Sequence, residues 1–181
     1  MTNILLISED TVKTHSNLND NVWGKNLLPA IREAQDIYLQ QIIGTCLYRR
    51  LMDLVDSGDI QETEYAPYKD LLDDKITDFL LYRTLANIIP ILSPKLTNFG
   101  ASISQDEKLV GLSQKDMELL VNYYIDRANF YGRRLQKFLL ANRAQFPELD
   151  CCGCDGDIKP YLDDSARSPL WLGGLRSGRR I

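Results

Sequence analysis

The sequence predicts a mainly α protein: a bundle of about four helices with a short β-hairpin or extended arm and a long irregular C-terminal tail. Three observations carry that prediction. Apolar residues recur at steps of three and four along much of residues 23–146, the period that gathers side chains on one face of a helix. Residues 95–112, KLTNFGASISQDEKLVGL, break the period. After Pro147 it stops altogether, and Gly, Pro and Ser become frequent. The chain therefore divides into an N-terminal extended segment (1–22), a helical domain (23–146) with its arm at about 95–112, and an extended C-terminal tail (147–181).

In residues 1–22 a short apolar piece, Ile4 to Ile7, precedes the turn-forming run THSNLNDN, so the segment reads as irregular. Ile4 to Ile7 is suited to an edge strand or to docking on a neighbour. His15, the only histidine, lies in that polar run and reads as solvated surface.

The stretch WGKNLLPAIREAQDIYLQQIIGTCLYRRLMDLV, Trp23 to Val55, reads as two helices meeting at one glycine. Leu27, Ile31, Ala34, Tyr38 and Ile42 form one stripe, and Leu28, Ile31, Gln35, Leu39 and Ile42 the adjoining row. Pro29 fits near the first turn, where its missing N–H costs little. Gly44 suits a left-handed helix end. Thr45 can cap the next helix, whose face is Leu47, Leu51, Leu54 and Val55.

Gly58 then sits where a helix C-cap belongs, and Pro67 fits the start of a further helical region. The core of that region is Leu72, Ile76, Phe79, Leu80 and Ala86, with Leu71 and Ile88 at its edges. Asp70, Asp73 and Asp74 in the early turns favour the positive end of the helix dipole, and Pro90 and Pro94 bracket its end. In the arm, extended pieces at 95–103 and 108–112 flank Ser104-Gln105-Asp106-Glu107, which reads as the hairpin's turn. The longest helix starts at Ser113, with Asp116 completing an imperfect capping box. Its stripe is Met117, Leu120, Tyr124, Ala128, Tyr131, Leu135 and Phe138. Unbroken to Phe146, its 34 residues would extend ~51 Å. Tyr123, Tyr124, Phe130 and Tyr131 make it aromatic on more than one side. Either it has two contact surfaces or its tyrosines are core residues with hydroxyls at the rim.

The tail has acids early (Glu148, Asp150, Asp155, Asp157, Asp163, Asp164) and arginines late (Arg167, Arg176, Arg179, Arg180). Between them Pro169-Leu170-Trp171-Leu172 is too apolar for a solvated linker and reads as an anchor that orders on a partner. The formal net charge of −4, from 25 acidic and 21 basic residues, excludes a broad basic field for nucleic acid. No apolar run has the ~18 residues of a membrane span, and the start lacks the basic region of a signal peptide.

Enzyme chemistry finds no foothold. Cys151-Cys152-Gly153-Cys154 contains a Cys-x-x-Cys pair, but no second ligand pair accompanies it, and a thiol-rich turn is the expectation. Ligands shared between subunits would be the one route to a metal there. Cys46 reads as a buried, reduced thiol on a helix. No phosphate loop and no Ser, His and acid arrangement occurs. No cofactor is expected.

Ile31, Ala34-Gln35, Leu39, Ile43-Gly44, Leu47-Tyr48 and Leu51 resemble the signature region of tailed-bacteriophage head–tail connector proteins. The resemblance continues through Tyr68, Leu71-Leu72, Asn98-Phe99-Gly100 and the tyrosine-bearing helix, covering about residues 24–146. The tail is similar to the extended C-terminal arms of ring proteins in crass-like phages. This resemblance implies a small helical bundle with an arm, assembled as a homo-oligomeric ring, usually twelve-fold, beneath the portal and around the DNA channel. It implies a virion structural protein at the head–tail junction, made in the host bacterial cytoplasm. Its partners would be its own copies, the portal and the next ring or tail protein, with non-specific proximity to packaged DNA and no membrane. On this reading Phe99 and Ile103 of the arm and Leu170, Trp171 and Leu172 of the tail are intersubunit contacts. Arg176, Arg179 and Arg180 are candidate contacts to DNA or a partner. The alternative is a helical-bundle small-ligand-binding protein or enzyme, whose polar site would be lined by Gln35, Tyr38 and Arg83.

Overall fold

The computed structural model describes residues 4–16, 24–92, 95–97, 100–102, 114–150 and 158–162. The fold is mainly α, as the periodicity predicts. The N-terminal segment departs from its expected irregular form: Glu9–Thr14 is a helix (α1). The Ser8 hydroxyl accepts from the Thr11 N–H at 3.0 Å, and Glu9 and Asp10 occupy the first turn. This is the standard capping arrangement, and Ser8-Glu9-Asp10 was its sequence signal. Leu6, Ile7 and Val12 are buried, so the segment docks on its own chain. His15 is exposed, as expected.

The opening pair is as expected in outline, with Gly44 between its two halves. The first half is Gly24–Glu33 (α2), a π-helical turn at Ala34–Leu39, and Gln40–Ile43 (α3); the second is Thr45–Ser57 (α4). The π-turn inserts one extra residue per turn, and the buried stripe therefore shifts phase. Leu27, Ile31, Ala34 and Leu39 are fully buried as predicted, but beyond the turn Ile43 takes the core position. Tyr38 and Ile42 are left half-buried, and Leu28 is exposed. Pro29 lies inside α2 rather than at its first turn. Leu47, Leu51 and Leu54 face the core from α4.

Gly44 has φ 79° and ψ 160°, a region open almost only to glycine. A Cβ there would lie 2.8 Å from Pro160 Cδ. Thr45 does not cap α4; its hydroxyl accepts from the Ile158 N–H at 2.9 Å and from Gln40 Nε2 at 3.0 Å. Gly58, at φ 81° and ψ −2°, is the left-handed C-cap the sequence predicts.

Ala66–Leu71 (α5) carries Pro67 in its first turn, a second π-turn spans Leu72–Ile76, and Thr77–Leu92 (α6) follows. Helix α6 is the buried centre: Phe79, Leu80, Leu81, Thr84, Leu85, Ala86 and Ile88 are all inside. Pro90 falls within its last turn. The arm differs from the predicted pairing. Lys95–Thr97 (β1) pairs antiparallel with Gly100–Ser102 (β2), Thr97 opposite Gly100. The chain thus reverses between Thr97 and Gly100, inside the piece expected to be one strand, and the expected turn at 104–107 lies outside the described residues.

Gln114–Ala141 (α7) is 28 residues long, so it runs ~42 Å and stops short of Phe146. Short 3-10 turns follow at Arg143–Gln145 and Pro147–Asp150. These fold back, burying Phe146 and Leu149, and carry the packed unit past residue 146. A Cβ at Gly132 would lie 3.3 Å from Phe79 Cε2 and 3.4 Å from Ile42 Cδ1, so its absence lets α7 approach α6 and α3 closely. No helix among the described residues is long and apolar enough to cross a membrane.

Candidate functional site

Helix α7 presents two faces of different fate. Inward, Ala128, Gly132, Leu135 and Leu139 are buried, and Tyr124, Tyr131 and Phe138 pack on the core. Outward, Leu119, Tyr123 and Phe130 are 60%, 49% and 58% exposed, and their spacing of four and seven places them along one line of the helix. Of the two readings of the aromatic residues, the two-surface one fits this arrangement.

The two faces are tied together through ring contacts. Tyr82 stacks on Tyr131 at 5.2 Å, Phe130 meets Tyr131 edge-on at 5.3 Å, and Tyr123 meets Tyr124 edge-on at 5.3 Å. The Arg127 guanidinium lies 4.1 Å from the Tyr123 ring centroid, a favourable cation–π distance. Tyr123, Asp126, Arg127, Phe130 and Tyr131 enclose an open groove of about 470 Å³. Rings held from behind by core tyrosines form a pre-shaped apolar surface, which lowers the entropy cost of docking. Burial raises the Tyr124 and Tyr131 hydroxyl pKa values above the ordinary tyrosine range.

A second, smaller site lies on another side of the bundle. Tyr38, Gln41, Ile42, Phe79, Arg83, Asn129 and Tyr161 line a crevice of about 190 Å³. The Arg83 guanidinium carbon sits 3.4 Å from the Tyr38 ring centroid, and Arg83 Nε has no hydrogen-bond partner among the described residues. Tyr38 and Arg83 are thus brought together as the alternative reading expected. Gln35 is not. It is buried, donating to the Ile4 carbonyl at 2.9 Å and accepting from the Leu6 N–H at 3.1 Å, so it clamps the N-terminal segment. Gln41 and Asn129 belong to the crevice and escaped the sequence reading, which named Gln35 and Arg83 but neither of these.

The crevice is edged by a strap from the tail. The Ile158 carbonyl accepts from the Thr45 N–H at 2.9 Å, the Tyr161 N–H donates to the Gln41 carbonyl at 3.1 Å, and Gln136 Nε2 donates to the Tyr161 carbonyl at 2.9 Å. Residues 158–162 therefore lie extended across the α3–α4 corner and onto α7. The sequence reading gave the tail an anchor at 169–172 and none at 158–162; the cluster Ile158-Lys159-Pro160-Tyr161-Leu162 was the signal for one there.

The strongest electrostatic perturbations are tyrosines that join elements. Tyr48 is raised well above the usual range by burial and by donating to Asp36, which also pairs with Arg32. Tyr68 is pushed up to about 12 by burial and by its bonds to the Glu148 carboxylate at 2.9 and 3.0 Å. Both stay protonated donors near neutral pH and act as ties between helices. Asp73 and Asp74 are exposed, a solvated pair. Among the described residues no group of three or more His, Cys, Asp or Glu could hold a metal ion. Cys46 is a half-buried thiol. Phe99, Ile103, Cys151, Cys152, Cys154, Leu170, Trp171, Leu172, Arg176, Arg179 and Arg180 lie outside the described residues.

Comparison with known proteins returns one family model, described as a family of unknown function (DUF6712), matching residues 39–171. That span takes in α4 to α7 and runs on through the tail as far as Trp171. No curated protein and no solved structure matches.

Proposed function

The chain belongs to this DUF6712 family, and we propose that it is a virion structural protein. In this reading it is a head–tail connector whose copies form a ring, twelve-fold by resemblance, beneath the portal and around the DNA channel. The carrying observation is the second apolar face of α7, where Leu119, Tyr123 and Phe130 stand exposed opposite a fully used core face. Such a row is more than a lone subunit needs and is what a neighbour would cover. The resemblance at Ala34-Gln35 and Leu47-Tyr48 supplies the kind of assembly. The perturbed tyrosines support the reading too, since they serve cohesion rather than proton transfer. The arm residues Phe99 and Ile103 and the tail residues Leu170, Trp171 and Leu172 contribute further contacts, and the subunit resides at the head–tail junction.

The test is electron microscopy of the purified protein mixed with the portal ring from the same genome. A symmetric added layer is the expected result. Absence of a layer on a portal that accepts another adaptor rejects the connector role. Removing residues 163–181 leaves the bundle folded and weakens incorporation into particles. A cut at 147 is too early for this purpose, because Leu149 is buried.

The Tyr38–Arg83 crevice favours a second reading, a small-ligand-binding bundle. Its polar groups and the Arg83 Nε suit a small anionic or polar molecule. Arg83→Met abolishes ligand binding if that reading holds, and leaves portal binding intact if the connector reading does.

A further inference from the structure

We propose that in the free subunit the chain's own segment Pro169-Leu170-Trp171-Leu172 covers the exposed face of α7, with Trp171 in the groove between Tyr123, Arg127 and Phe130. The groove has the character an indole requires: flanking rings, a guanidinium and room, at about 470 Å³. Trp is also the residue most often found at the centre of such contacts.

The path of the chain leads there. The Tyr161 carbonyl is held by Gln136 of α7, and Leu162 packs partly against the core. From Gln136, Phe130 lies six residues up the helix, ~9 Å, and Tyr123 thirteen residues, ~20 Å. Trp171 follows Leu162 by nine residues, an extended reach of ~30 Å. The segment can therefore arrive on its own helix with slack.

Charge follows the same route. Asp163 and Asp164 leave Leu162 first, and the exposed Arg133 and Arg134 stand on α7 between Gln136 and Phe130. Opposite charges along the path favour the segment's passage toward the groove. The family pattern also extends through this stretch and ends at Trp171. The proposal does not depend on the ring: a subunit covered in this way hides its most adhesive surface until something displaces the segment.

The experiment uses the full chain carrying Trp23→Phe, so that Trp171 is the only tryptophan. In dilute folded protein, Trp171 emission is blue-shifted and its acrylamide quenching is several-fold slower than after urea unfolding. Tyr123→Ala with Phe130→Ala returns both to the unfolded values; Leu28→Ala with Ile37→Ala, exposed residues on the opening helix, leaves them unchanged. Solvent-like Trp171 in the folded protein overturns the proposal. So does protection indifferent to the Tyr123 and Phe130 changes, or protection lost on dilution, which would make the occupant a second copy. Where Trp23→Phe impairs folding, the wild-type signal minus that of Trp171→Phe gives the same readout. Failure here leaves the portal experiment untouched, and the converse holds.

Discussion

The two halves of α7 share one period but not one role. Its C-terminal half carries Ala128, Gly132, Leu135 and Leu139, each fully enclosed, whereas no residue from Gln114 to Arg127 is buried. The difference comes from what lies opposite. Gly132 meets Phe79 near the start of α6, so the antiparallel partner of 16 residues ends near residue 119 of the 28-residue α7. The C-terminal half is closed in by α6, α3 and the returning turns as well. Among the described residues the N-terminal half rests on α6. Apart from Phe130, the large apolar groups of the C-terminal half are taken up by folding, whereas Leu119 and Tyr123 of the N-terminal half remain available.

Stability measurements should separate the halves sharply. Leu135→Ala, in the enclosed half, costs about 2–5 kcal/mol in urea unfolding. A cost below 1 kcal/mol would mean that this half is not the core. Gly132→Leu forces a side chain against Phe79 and Ile42 and costs about 1–3 kcal/mol; an unchanged midpoint would deny the close helix crossing.

A smaller effect concerns the anchor just beyond the C-terminal half. Tyr68, held up to about 12 in the folded protein, keeps its proton where an unfolded tyrosine, near 10, loses it. Its contribution is therefore complete below about pH 10 and is lost as pH rises through about 12. Tyr68→Phe should flatten the alkaline fall of the urea midpoint. Some slope persists from Tyr48, whose hydroxyl is raised in the same direction. Identical pH profiles for wild type and variant would contradict the assignment. The smallest effect belongs to the open face: in the protein lacking residues 163–181, Tyr123→Ala or Phe130→Ala changes stability by about 0.5 kcal/mol or less. A larger loss would show that this face is already part of the fold.

Much of the helical plan was legible because period, glycine and proline act locally. Gly58 and Pro67 fall where the rules for helix ends place them, and the Leu47, Leu51, Leu54 face is the observed one. The phase shift after Ala34 was not legible. A π-turn has no composition signature here, and a strict 3.6 period through it gives Tyr38 and Ile42 full core positions, whereas Ile43, left off both predicted rows, is the residue enclosed. Thr45 was misread for a different reason: its hydroxyl is claimed by Ile158, 113 residues away, and no local rule sees that partner. The exposed row on α7 was half legible. Its aromatic residues were apparent, but which of them face solvent depends on where α6 ends.

The two straps also close at different moments in the life of a new chain. Gln35 meets the Ile4 carbonyl across 31 residues, while Ile158 meets Thr45 across 113. Loop entropy favours the shorter closure by only about 1 kcal/mol. Order of emergence from the ribosome separates them further, since Ile158 has no platform until α3, α4 and α7 have been made and packed. The N-terminal clamp can thus form during synthesis, and the C-terminal strap is a finishing step laid over a completed bundle.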